Sequence, residues 1–148
     1  MKNTKIEILK NKAKQELEED EKYNNEISEN IIEKYYRKIE YIIEEEIKNS
    51  IKENKEFCIV NLYYIDKYIN AYKEDNKNNI NLEKFDKLTV IFLVIEKVIN
   101  KISKEYVVKR FFNGYQVAIL INSSIFTNIK ARISLLHLIC SQKIYNPF

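Results

Sequence analysis

The chain predicts an α+β domain, mostly helical, and three observations carry that expectation. Glycine and proline occur once each, at Gly114 and Pro147. Apolar residues recur at helical spacing through most of the chain before the C-terminal third. Two apolar runs, YVVKRFF and YQVAILI, flank Asn113-Gly114, the favoured pair for a two-residue type I′ hairpin turn. So few chain-breaking residues argue against a many-turned sandwich, a barrel, a Rossmann unit or a P-loop enzyme, which need glycine at tight or phosphate-facing backbone positions. The 148 residues are one ordinary domain's worth, and 45% hydrophobic content is enough for a core.

The elements follow in order. Thr4-Lys-Ile-Glu7 fits a capping box, and Ile6, Leu9, Ala13 and Leu17 then recur at helical spacing among Lys and Glu. This first helix is thin in apolar residues and is expected to be exposed. Tyr23-Asn24-Asn25 is the expected break, because Asn competes for backbone hydrogen bonds and leaves helices readily. A second helix, 26–54, carries Ile27, Ile31, Tyr35, Ile39, Ile43, Ile47 and Ile51, one at every fourth position. A helix turns about 100° per residue, so each such step moves the apolar line by roughly 40° around the axis. One flat partner cannot cover it. Either its two ends pack on different partners, with a second chain as one candidate cover, or the helix bends between them.

FCIVNL (57–62) reads as a buried strand, and 63–73 as a shorter helix with Ile65, Tyr68, Ile69 and Tyr72 on one face. After a solvated loop at 74–79, Leu82, Phe85, Leu88, Phe92, Ile95, Ile99 and Ile102 predict a core helix capped by Asn79 or Asn81. The hairpin of 106–121 then sets Arg110 opposite Val117 and Val108 opposite Ile119. With the strand it makes a small three-stranded sheet. Ser123 or Thr127 would cap a last helix carrying Ile125, Ile129, Ile133, Leu136 and Cys140 on one line. The predicted organisation is a helical arm, 1–55, and a compact α+β part, 56–148.

Composition closes several chemistries. His137 is the single histidine, and Cys58 and Cys140 are the only cysteines, so a zinc site of ordinary Cys/His type would require all three to converge. No metal or cofactor is expected. A Cys140–His137 dyad has i, i+3 spacing but no visible orienting or oxyanion group, so no catalytic residue is assigned. Two cysteines make no disulfide framework, the first twenty residues are rich in Lys and Glu, and the longest apolar run, VIFLVI, is six residues against roughly 20 for a membrane span. A cytoplasmic protein is expected. The Ile, Lys, Asn, Glu and Tyr bias points to an AT-rich genome.

Charge is segregated. Residues 1–56 hold 12 basic and 15 acidic side chains, whereas after Glu105 no acidic residue occurs. Glu18, Glu19, Asp20 and Glu21, and separately Glu44, Glu45 and Glu46, form acidic runs. Consecutive helical residues point about 100° apart, so such runs spray around a helix and suit docking onto a Lys/Arg-lined partner better than acid–base catalysis. Lys109, Arg110, Lys130 and Arg132, near Phe111, Phe112 and Tyr115, are the candidate basic face for an alternative role in nucleic-acid contact. Eleven tyrosines, with Tyr35-Tyr36 and Tyr63-Tyr64 in pairs, fit half-buried packing and also recognition surfaces.

From Ile43 to Ile121 the hydrophobic rhythm, carried by IEEEIKNSIKENKEFCIVNL, the helix at 85–102 and KEYVVKRFFNGYQVAILI, resembles small phage-encoded proteins in which a long helix leads to a strand, a further helix and a hairpin. The acid-free segment from Ser123 departs from that pattern. The resemblance implies a non-enzymatic virion component or host-interaction protein and carries over no functional residues. The combined expectation is a protein-binding chain of phage or mobile-element origin. It would self-associate through its helical arm and act by steric masking of a partner such as a host defence nuclease (as an anti-CRISPR-like inhibitor does).

Overall fold

A computed structural model describes residues 2–121 and Leu136. The order is α1 (Lys2–Lys52), β1 (Phe57–Asn61), a 3-10 turn (Leu62–Ile65), α2 (Asp66–Asp75), α3 (Lys87–Ile102), β2 (Val108–Arg110) and β3 (Gln116–Leu120). The expected last helix, apart from Leu136, lies outside the described residues.

The first correction concerns α1. It is a single helix of 51 residues, about 75 Å long, beginning ahead of the Thr4 capping box and passing through Tyr23-Asn24-Asn25 without a break. The reason lies in where those three side chains bond. The Tyr23 hydroxyl accepts from the Asn81 N–H at 2.8 Å. Asn24 is buried; its amide nitrogen donates to the Asp20 carbonyl at 2.9 Å and the Lys84 carbonyl at 3.1 Å, and its amide oxygen accepts from the Asp86 N–H at 3.0 Å. Asn25 accepts from the Lys97 ammonium at 3.0 Å. Side chains that would compete with the helix are engaged by tertiary partners instead.

The helix stops by ordinary means. Asn54 adopts a left-handed φ of 56°, the Lys55 N–H reaches the Ser50 carbonyl and the Asn54 N–H reaches that of Ile51, both at 3.0 Å, which is a Schellman ending.

The three strands form one antiparallel sheet in the order β1-β3-β2. Cys58 and Val60 on β1 pair with Ile119 and Val117 on β3, and these four point into the main core. The winding stripe of α1 is covered from Ile27 to Ile47, whereas Ile51 is exposed. Its covers change along its length. Asn24 meets the segment before α3, Tyr35 meets Tyr68 of α2 with ring centroids 5.1 Å apart, and the Tyr64 hydroxyl donates to the Ile39 carbonyl at 3.3 Å. No second chain is needed for these positions. On α3, Val90, Ile91, Val94, Ile95, Val98 and Ile102 are buried.

The predicted cap of α3 is displaced. Asp86, not Asn79 or Asn81, accepts from Leu88 and Thr89 N–H groups at 3.1 and 3.3 Å, while Asn81 caps a separate turn through the Glu83 N–H. Leu82 therefore precedes the helix and is exposed. The segment 63–73 likewise divides into the 3-10 turn and α2, with Asn61 accepting from the Tyr63 N–H.

The hairpin keeps its predicted register, Val108↔Ile119, Lys109↔Ala118 and Arg110↔Val117, but changes its turn. A type I′ turn needs positive φ at both central residues, and Gly114 has it at 81° whereas Asn113 does not. The closing bond runs from the Phe111 N–H to the Gln116 carbonyl, and the Gly114 N–H donates to the Phe111 carbonyl. Asn113 turns its side-chain oxygen onto the N–H groups of Tyr115 and Gln116 at 3.2 and 3.1 Å. The loop is thus Phe112–Tyr115, two residues longer than predicted, in the same register.

Candidate functional site

The candidate acidic residues all lie on α1, and the structure does not bring the two runs together. On one continuous helix, Glu21 and Glu44 stand about 35 Å apart along the axis. Within the first run Glu18, Glu19 and Glu21 are exposed and Asp20 is half-buried; Glu19 lies 4.0 Å from the Lys84 ammonium. The second run sprays around the helix as expected. Glu45 pairs with Lys48 at 3.2 Å. Glu44 raises the pKa of Tyr106, behind the larger effect of burial. Glu46 borders a cleft of about 460 Å³ with Ser50, Lys55, Glu56, Phe57 and Ile59.

That cleft has limited chemical capacity. Cys58 lies buried behind it, and burial pushes its thiol up, a bond with Ser50 opposing. A thiol held protonated is a poor nucleophile. Among the described residues, no three His, Cys, Asp or Glu side chains group so as to hold a metal ion. Nor is any helix there long and apolar enough to cross a membrane. His137 and Cys140 lie outside the described residues.

The hairpin cations have unequal surroundings. Lys109 is exposed on the edge strand. Arg110 is committed within the fold, pairing with Glu96 of α3 and donating from Nε to the Gly114 carbonyl at 3.0 Å. Lys130 and Arg132 lie outside the described residues.

A different cationic and aromatic surface escaped the sequence reading. Arg37, Lys38, Tyr41, Ile42 and Tyr68 line an open groove of about 400 Å³ between α1 and α2. Lys67 stands 4.9 Å from the Tyr68 ring centroid, and Lys34 and Lys38 stand 5.4 and 5.8 Å from that of Tyr35. The signal was present as Tyr35 and Tyr41 beside Arg37-Lys38, but only the packing of α2 onto α1 adds Lys67 and Tyr68.

The largest unpacked feature is the N-terminal half of α1. Every residue from Thr4 to Glu19 is exposed, including Ile6, Ile8, Leu9 and Leu17. At its base, Leu17, Asp20, Glu21 and Asn24 line a groove of about 720 Å³ against the segment 83–87 and Thr89. No protein-family model, curated protein or solved structure matches the chain.

Proposed function

We propose that this is a non-catalytic, protein-binding protein of phage or mobile-element origin. It acts in the host cytoplasm by covering a surface on a partner, such as a virion component or a defence nuclease. The observation that carries this reading is the projecting half of α1. A helix stretch with few packed side chains gains little from its own domain, since helices are held mainly by burying one face. This one also exposes apolar residues and the carboxylates Glu18, Glu19 and Glu21. Such a rod offers area and negative charge to a Lys/Arg-lined groove of the kind that holds nucleic acid.

The test is capture of a nucleic-acid-binding protein from host extract by wild-type chain and by E18K/E19K/E21K. Elution by moderate salt, and loss with the variant, support the reading. A complex indifferent to both salt and charge reversal contradicts it.

A second reading, contact with nucleic acid, is favoured by the groove of Arg37, Lys38, Tyr41 and Tyr68 more than by the hairpin, whose Arg110 already pairs with Glu96. It predicts a gel shift at low salt that R37E/K38E abolishes and K109E weakens only slightly. No shift at low salt removes it.

A further inference from the structure

The groove between α1 and α2 differs from the other charged surfaces in how its cations are held. The Lys38 and Lys67 ammonium groups stand 5.8 and 4.9 Å from the ring centroids of Tyr35 and Tyr68, and those two rings lie against each other. A ring face attracts a cation without neutralising it. The neighbouring carboxylates are engaged elsewhere: Asp75 with Lys34, Glu45 with Lys48 and Asp66 with Lys87, at 3.3, 3.2 and 3.0 Å. Glu40 and Glu44 act on Tyr36 and Tyr106. Glu33 precedes Arg37 by one turn, yet Arg37, Lys38 and Lys67 form no ion pair among the described residues. Tyr41 lines the same groove, one turn beyond Arg37 and on the face of Lys38, and is 62% exposed. Tyr35 by contrast is buried and Tyr68 half-buried.

From this arrangement we propose that the groove takes single-stranded nucleic acid, with one base stacked on the Tyr41 ring and the flanking phosphates on Arg37, Lys38 and Lys67. It rests on the second reading of function, contact with nucleic acid, and names the form that the nucleic acid takes. An exposed tyrosine ring accepts any base, because every base has a π-face. The groove is open along one side of the ring, so a strand can lie in it with a base turned inward. In a duplex the bases already stack on one another, which leaves the three cations only phosphates to meet. A single strand therefore makes one contact that a duplex lacks. An oligoglutamate would engage the cations and not the ring. Three phosphate contacts on a single strand give the logarithm of the binding constant a slope of about −2 against the logarithm of salt concentration.

The test uses the full chain and a labelled oligothymidylate of about twelve nucleotides, read by fluorescence anisotropy at low salt. Wild type is expected to bind it several-fold more tightly than a duplex of the same length. Tyr41→Ala should weaken the single strand roughly tenfold and leave the duplex as it was. Lys67→Glu should weaken both. The chain has no tryptophan, so the indole of Tyr41→Trp reports alone, and the single strand should quench its fluorescence. Circular dichroism of each variant separates loss of binding from loss of fold. A single strand held equally by wild type and Tyr41→Ala, an indole that is not quenched, or an oligoglutamate that competes as well as the oligonucleotide overturns the stacking and leaves nucleic-acid contact to its own test. Binding of neither single strand nor duplex removes both.

Discussion

The two halves of α1 are one helix with one backbone geometry and opposite situations. From Tyr23 to Ser50 the apolar line is covered by the α3 segment, α2, the 3-10 turn and the sheet in turn; from Thr4 to Glu19 every residue is exposed. The comparison teaches that helix formation here does not report burial. The seated half nucleates the helix, and the projecting half extends it at the low cost of propagation. Stability should therefore reside in one half and availability to partners in the other.

The largest expected effect sharpens that division. Ile39→Ala, at a fully buried position, should cost about 2–5 kcal/mol in chemical denaturation, because it removes contacts and leaves a cavity. Leu9→Ala, on the projecting half, should cost under about 0.5 kcal/mol within a monomer. Equal losses would erase the distinction between the halves.

Next comes the junction. Asn24→Ala strips partners from the Lys84 carbonyl and the Asp86 N–H and should cost about 1–3 kcal/mol. Asn25→Ala loses one exposed bond to Lys97 and should fall within about 0.5 kcal/mol of wild type. If the two variants melt together, Asn24 is not what holds the junction.

A smaller effect is alkaline. Tyr36, in the seated half, has its pKa pushed up to about 12, first by burial and then by Glu40; Tyr64 is raised by burial as well. The folded state holds these protons above the ordinary value of 10, so their contribution is complete below pH 10, and that of Tyr36 is lost as pH rises through about 12. Denaturation midpoints should fall across that window, and Tyr36→Phe should flatten the fall. A wild-type profile level from pH 10 to 12 would contradict it.

How far the sequence disclosed this arrangement depended on whether a residue's signal was local. The hairpin register was legible because Asn113-Gly114 sits at the centre of two apolar runs, and register survives a change of turn when both strands lengthen or shorten symmetrically. Strand β1 was legible from its apolar run and Ile95 and Ile102 of α3 from periodicity, whereas Leu88 on the same line is exposed, because the buried face of α3 is centred on Val90, Ile91, Val94 and Val98. Tyr23, Asn24 and Asn25 misled because their helix-breaking tendency is cancelled by Asn81, Lys84, Asp86 and Lys97, distant partners that no local pattern reveals. Asp86 was passed over as a cap because Leu82 and Phe85 continue the helical spacing ahead of it. The acidic runs were visible as composition, but their separation followed only once α1 proved continuous. The groove of Arg37, Lys38 and Tyr68 needed α2 docked on α1.

The most direct measurement is the thermal melt of the chain with residues 2–16 removed, set beside the full chain at a concentration where both are monomeric. If the projecting half serves partners and not the fold, the two midpoints coincide within about 2–4 °C, the shift expected for about 1 kcal/mol in a domain of this size. A drop as large as that of Ile39→Ala would show that the arm holds the domain together, and would contradict the account.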